Sequence, residues 1–338
     1  MTPSSNHPPP YGKVGILIVN LGTPEGTSYW PMRRYLAEFL SDRRVIETPR
    51  ALWLPLLHLL ILSTRPARKG RDYAAIWNHE LDEGPLKTIT RSQAEKLAAR
   101  LTGASQNIVV DWAMRYGKPT IAEKIAALQA AGCERLLVIP LYPQYCAATS
   151  ATVADKTFDA LKKMRWQPTL RIAAPFYDRP VYIEALASKL RDQLTQLAVA
   201  PDRIVVSWHG IPKAYAEKGD PYYCHCAKTT RLLGEATGLS DKIVMTFQSR
   251  FGPEEWLQPY TLETVESLPE EGVKTIVVIA PGFLADCLET LEELGVENRD
   301  AFLQAGGESF ALVPCLNDSA EAIDVLVDIS RTETAGWI

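Results

Sequence analysis

Two short stretches of the chain hold the side chains best suited to move protons or hand on a cation. The first, SWHGIP at residues 207–212, sets His209 where an apolar run ends and the chain leaves a sheet. Imidazole titrates near neutral pH without a large perturbation, so His209 reads as a base or a metal ligand. The plain alternative is a histidine hydrogen-bonded to backbone. The second stretch, PGFLADCLETLEE at residues 281–293, follows another apolar run and opens a helix. Asp286, Glu289 and Glu293 fall at i, i+3 and i+7, which puts them on one helix face, with Cys287 beside the first. Helix-dipole and capping preferences would also place acids there. If both stretches leave the carboxyl ends of strands in one half of the molecule, His209 and Glu289 face one another. A histidine opposed by carboxylates can pass a hard divalent cation such as Fe2+ inward, because oxygen ligands hold it without trapping it as thiolates would. The chain has no HExxH and no paired CxxC, which removes support for a caged zinc. Its NLGTPEG loop at residues 20–26 is not GxGxxG, and no GxxxxGKS or GxxxxGKT occurs, so no nucleotide is indicated.

Those stretches need a scaffold that brings strand ends together. Eight strand-length runs occur, at 14–20, 108–113, 136–141, 170–174, 204–208, 243–247, 275–280 and 310–313. Helical stretches such as 119–131 and 180–197 lie between most of them, and this alternation predicts parallel, doubly wound sheets. The runs are continuously apolar, as in strands covered on both faces. They divide into two sets of four, and an internal echo supports the division. RYGKP at 115–119 leads through a helix to AAGCERLLVIPLYPQY, and RFGP at 250–253 leads through another to EEGVKTIVVIAPGFLA. The expected architecture is therefore α/β, with two Rossmann-like domains, each a four-stranded parallel sheet flanked by helices, around a ligand cleft. Residues 1–12 form a disordered tail, residues 13–173 plus 318–332 the first domain, and residues 174–317 the second, which carries His209 and Glu289.

Composition narrows the partners. The 338 residues carry 36 Lys plus Arg against 40 Asp plus Glu, a net charge of -4, so nothing favours a phosphate backbone and nucleic acid is excluded. Six scattered cysteines do not make a disulfide scaffold and fit a reducing compartment. The polar, Pro-rich start is no secretion signal, and a cytoplasmic protein is expected. The apolar run ALWLPLLHLLIL at 51–62 is too short to span a bilayer, which takes about 20 residues. It reads either as a buried core helix or as an apolar surface segment. Arg65, Arg68, Lys69 and Arg71 follow it, so peripheral contact with an anionic inner-membrane surface is the second reading. No dimer seam is visible, and a monomer is expected.

From about Val14 to Asp328 the chain resembles the ferrochelatases, which insert Fe2+ into protoporphyrin IX in the last step of haem synthesis. The likeness rests on GILIVNLGTPEG, the Arg115-Tyr116 pair, YPQY at 142–145, SWHGIPKAY followed by GDPY, FQSRFGPEEWLQP and PGFLADCLETLEE, all in order. The resemblance implies a class II chelatase-like fold with a porphyrin cleft, His209 as the essential histidine and Glu289 as the essential carboxylate, both catalytic and both metal-contacting. It implies Asp286 and Glu293 as an acidic metal-delivery path. It also implies porphyrin contacts at Leu21, Arg65, Tyr73, Arg115, Tyr116, Trp256 and Phe283. Fe2+ is then a substrate, and no tightly bound cofactor is expected. A 2Fe–2S cluster, present in some members, is not expected here, because the CxC pair Cys224 and Cys226 would need two distant partners. The chain departs from the family pattern at Cys287, where many animal members carry histidine, and at Gly84, where serine is usual. Coproporphyrin III as substrate and a non-catalytic porphyrin or haem carrier on the same fold are the alternatives.

Overall fold

The computed structural model describes residues 12–102 and 107–338. The expectation of a disordered tail concerns residues that, up to 11, lie outside this range. Among the described residues eight strands form two sheets. β1 (Lys13–Gly22), β2 (Ile108–Tyr116), β3 (Cys133–Pro140) and β4 (Thr169–Ile172) run in the order β2-β1-β3-β4. β5 (Arg203–His209), β6 (Ile243–Gln248), β7 (Thr275–Ile279) and β8 (Ser309–Leu312) repeat it as β6-β5-β7-β8. Every pairing is parallel, as expected for strands joined by helical crossovers.

The apolar runs fold this way because both faces of each central strand are covered. In β1, Ile16 and Ile18 join one buried cluster while Leu17 and Val19 join another, the alternation a pleated strand imposes. The first of these clusters also takes Ile204, Val206 and Trp208 from β5, so one continuous core joins the two sheets. The C-terminal helix Ala320–Glu333 packs against the helices Pro85–Thr102 and Pro180–Thr195 and closes that core.

The internal echo extends to fine geometry. In each half the loop after the second strand returns through a cis proline, at Lys118-Pro119 and at Gln258-Pro259. The backbone N–H of Met114 donates to Pro119 O at 2.8 Å, and that of Phe247 donates to Pro259 O at 2.8 Å. The return is seven residues longer in the second half, 247 to 259 against 114 to 119, and the extra length holds Phe251 and Trp256. In each half a π-helical segment follows the third strand, at Ala147–Ala151 and at Glu289–Asn298.

The run at 51–62 is neither wholly core nor wholly surface. It folds into Arg50–Leu56 and the π-helical Leu57–Ile61, leading into Leu62–Ala75. Trp53, Leu57 and Leu62 are buried, whereas Leu52, Leu56, Leu59 and Leu60 are 70%, 46%, 79% and 58% exposed. Among the described residues no helix is long and apolar enough to cross a membrane.

Candidate functional site

His209 is the last residue of β5 and is partly exposed. Its Nδ1 lies 2.7 Å from Gly210 O. A carbonyl can only accept, so Nδ1 carries the proton and Nε2 keeps its lone pair for a proton or a metal. Gly210 is needed beside it, since a Cβ there would sit 2.9 Å from Gln248 O and 3.0 Å from the Trp256 ring.

The acids reach His209 through the end of β6. Gln248 pairs with His209 in the parallel register. The Ser207 hydroxyl donates to Gln248 Oε1 at 2.8 Å and fixes the side chain, whose Nε2 donates to the backbone O of Glu289 at 3.0 Å. The next residue, Ser249, donates its hydroxyl to Glu293 Oε2 at 2.6 Å. Two consecutive residues thus bind the histidine strand to the acidic helix. That helix is wound with i→i+5 bonds, which keep Glu289 and Glu293 about one turn apart. Burial pushes the Glu293 carboxyl above the usual range, outweighing the Ser249 hydrogen bond and the nearby His209.

Glu289 faces the first half. Burial raises the Tyr73 and Tyr35 phenols, and the Glu289 carboxylate adds to the effect on both. Tyr35 and Tyr73 meet edge to face, with centroids 6.3 Å apart, and the Tyr35 hydroxyl donates to Gly22 O at 3.3 Å. Cys287 is a buried thiol pushed well up by burial and then by Glu289, which keeps it protonated and a poor metal ligand.

Aromatic side chains border the histidine. Trp256, only 4% exposed, lies 6.5 Å from the His209 ring at 46°. Phe251 meets Trp256 edge-on at 4.9 Å, and the Arg65 guanidinium sits 5.8 Å from the Phe251 centroid. Phe283 and Leu21 pack together against Leu86, Ala285 and Cys287.

Three sequence expectations need correction. Asp286 does not share a helix face with Glu289 and Glu293, because regular helix starts only after Cys287. Its carboxylate instead accepts from Asn317 Nδ2 at 2.6 Å, Thr290 Oγ1 at 2.9 Å and the Cys315 N–H at 3.4 Å, so it fastens a loop and is removed from the metal path. Tyr116 is fully buried and presents no face to a cleft; its hydroxyl donates to Asp42 Oδ2 at 2.9 Å. Arg115 is 6% exposed, with Nε donating to Thr152 Oγ1 at 2.6 Å and a close ion pair to Asp42. Burial works against the Asp42 carboxylate, yet hydrogen bonds from Thr152 and the Arg44 N–H, with the Arg115 charge, hold its pKa below the usual range.

Sequence reasoning assigned no role to Gln248, Ser249 or Tyr35, although the first two stand in the FQSRFG segment. At Gly84 a Cβ would meet Thr23 Oγ1 at 2.4 Å, so a serine there requires Thr23 to turn away. A separate cavity of about 430 Å³ lies in the first half, lined by Arg44, Tyr142, Tyr145, Asp155, Phe158 and Ile172 among others. Its charged groups, Arg44 and Asp155, pair with each other.

The fold resembles solved chelatase structures. SirB from Bacillus subtilis with Fe3+ superposes with a TM-score of 0.58 at 13% identity, covering 96% of each chain. The sirohydrochlorin chelatase SirB from Bacillus subtilis subspecies spizizenii in complex with cobalt gives 0.53 at 10% identity, covering 95% of each. Sequence similarity is far closer to two curated ferrochelatases. That of Rhizobium meliloti is 58% identical over 340 residues and 100% of both chains. That of Agrobacterium fabrum is 57% identical over 336 residues, 99% of this chain and 97% of its own. The ferrochelatase family model matches residues 13–334, a span that holds His209 and the acidic helix. The chain belongs to the ferrochelatase family.

Proposed function

We propose that this enzyme, which inserts iron into a porphyrin as ferrochelatases do, takes protoporphyrin IX, with His209 and Glu289 at the point of insertion. One observation carries the reading: Gln248 and Ser249 fasten the histidine strand to the acidic helix beneath an aromatic wall. Insertion exchanges two pyrrole N–H protons for one Fe2+, so charge balances, and the site must take protons on one side while yielding a cation on the other. His209 Nε2 has one lone pair, so it takes the two protons one at a time and passes each to solvent, and Glu289 with Glu293 forms the oxygen-lined approach for Fe2+. A flat macrocycle reacts slowly; a ring held against Trp256, Phe251, Phe283 and Leu21 is favoured in a bent form whose nitrogen lone pairs meet the metal. Arg65 at the mouth suits a ring carboxylate.

The test is insertion of Zn2+ and Fe2+ by His209→Ala and Glu289→Gln, beside wild type, with ring binding measured separately. A loss of about 100-fold or more with binding retained supports the roles. Unchanged rates would leave only a carrier. Faster turnover of coproporphyrin III than of protoporphyrin IX would reassign the ring.

We further propose a monomer working in the cytoplasm that touches an anionic bilayer through Leu52, Leu56, Leu59 and Leu60, flanked by Arg65 and Arg68. The division at 173/174 returns the C-terminal helix to the first half, where it packs on Pro85–Thr102, while it also packs on Pro180–Thr195 of the second. The reading without a cluster is supported by Cys226 being fully buried while Cys224, two residues before it on one helix, is exposed.

A further inference from the structure

Three groups on the loop after β3 reach from the first half across to the second. Gln144 Nε2 donates to Thr229 Oγ1 at 3.1 Å, the Tyr145 N–H donates to His225 Nδ1 at 3.1 Å, and the Ala147 N–H donates to Asp220 Oδ2 at 2.7 Å. The acceptors follow His209 in the chain, Asp220 in a loop and His225 and Thr229 on the helix Tyr222–Thr237. His225 also stacks on Tyr177, just past the division between the halves, with ring centroids 3.7 Å apart and planes at 11°. The Thr229 hydroxyl donates to Tyr177 O at 2.7 Å, and the Phe176 N–H donates to Pro143 O at 3.0 Å. The loop, the segment connecting the halves and the helix therefore meet at one imidazole.

His225 commits the opposite nitrogen from His209. A backbone N–H can only donate, so His225 Nδ1 keeps its lone pair and the ring is held neutral, with its proton on Nε2. A second proton would turn that acceptor into a donor and set two N–H groups against each other. Among the three acceptors, only the imidazole is of a type that ordinarily titrates near neutral pH. Its surroundings carry both signs. Burial pushes it below its usual range and Lys228, three residues on, adds to this, while Asp178 of the connecting segment and Asp220 work against it. Lys228 and Asp178 are paired at 2.6 Å, so their two effects largely offset one another. Tyr145 and Cys146 from the loop and Cys226 from its own helix are pushed up by burial and stay uncharged.

We infer that His225 is a pH-sensitive pin between the two halves: neutral, it holds the loop after β3 to the second half, and protonated, it lets that loop go. The consequence reaches the Arg115 wall. The loop runs into Ala147–Ala151 and then Thr152, whose hydroxyl accepts from Arg115 Nε at 2.6 Å and bonds to Asp42. Release of the loop therefore takes support from the buried ion pair, while His209 and Glu289 hang from other elements. The folded pKa lies below the unfolded value of about 6.5, so the contribution of His225 is whole above that value and is lost as pH falls from it through the folded one.

The test is amide hydrogen exchange on the full-length protein, resolved at Tyr145 and expressed as protection relative to the intrinsic rate at each pH. Between about pH 7.5 and 5, wild-type protection at Tyr145 should fall several-fold. His225→Asn places a carbonyl oxygen near the position of Nδ1, an acceptor that does not titrate, and should keep protection level across the range. His225→Phe keeps a ring on Tyr177 without an acceptor, and should leave Tyr145 poorly protected at both ends. Protection that stays level in wild type, that falls as far in His225→Asn, or that survives in His225→Phe overturns the inference. Melting curves establish that the forms compared are folded, and a general loss of stability does not reproduce three different dependences on pH.

Discussion

The two halves share strand order, a cis-proline return and a π-helical segment, yet they use their polar groups in opposite ways. At the end of β1, Asn20 is buried and donates to Thr90 Oγ1 at 3.1 Å; at the equivalent end of β5, His209 keeps one nitrogen free. After β3 the π-helical segment AATSA holds no charge, whereas its counterpart after β7 opens with Glu289 and includes Glu293. In the first half a buried charge, Arg115, is matched to Asp42, Thr152 and Tyr116. In the second, Glu293 is partly buried, with the Ser249 hydroxyl on its carboxylate and the Gln248 side chain also hydrogen-bonding it. One fold thus yields a wall in which a buried guanidinium meets a buried carboxylate directly and a site in which a partly buried carboxyl is held by a hydroxyl and an amide.

The sharpest way to break this comparison is to unpair the wall. Asp42→Ala leaves the Arg115 guanidinium buried with only the exposed Glu38 carboxylate, 3.9 Å away, as counter-ion, and removing the buried partner of such a pair costs about 3–5 kcal/mol. Urea denaturation should show a loss of that size; a loss below about 1 kcal/mol would mean the pair is solvated. Glu293→Gln should do the reverse, leaving stability equal or slightly higher because a carboxyl raised by burial is relieved, while metal insertion falls about tenfold.

The same pair of variants gives opposite pH signatures. Asp42 has a folded pKa below its unfolded value, so its contribution is present above the unfolded carboxyl pKa of about 4 and is lost as pH falls through the folded one. The stability gap between wild type and Asp42→Ala should therefore narrow with acid. Glu293 has a raised folded pKa, so its unfavourable contribution grows as pH rises from about 4 through the folded value. The advantage of Glu293→Gln should widen over that range. Melting temperatures between pH 3.5 and 7, roughly spanning both carboxyl transitions, check both signs.

A smaller effect concerns the lip. Changing Leu59 and Leu60 together to glutamate, at side chains already 79% and 58% exposed, should leave stability within about 0.5 kcal/mol. Sedimentation with phosphatidylglycerol vesicles should nevertheless drop several-fold. Equal sedimentation would show that these leucines do not meet a bilayer.

Most of the frame was legible because continuous apolar runs at regular intervals admit few arrangements. The predicted runs at 14–20 and 204–208 fall inside β1 and β5, and the predicted run at 275–280 overruns β7 by a single residue. The place of His209, at the end of β5, was legible because the apolar run before it stops there. Other parts depended on partners distant in the chain. Nothing near Arg115 signals that Asp42 folds over it, and Asp286 reads as a helix residue until Asn317 and Thr290 are seen to hold it. The i→i+5 winding that stacks Glu289 on Glu293 leaves no mark in a 3.6-residue pattern. The exposed and buried leucines of 51–62 cannot be told apart by composition, since they differ only in what packs on them.

The central claim is that His209 and Glu289 act as one centre. It is tested most directly by Zn2+ insertion into a porphyrin by His209→Ala, Glu289→Gln and the double variant, at saturating ring concentration. Groups that act as a unit are not additive, so each single change should lower turnover about 100-fold or more and the double variant should be no slower than the worse of the two. Losses that multiply in the double variant, or a single variant that turns over at the wild-type rate, would contradict the account.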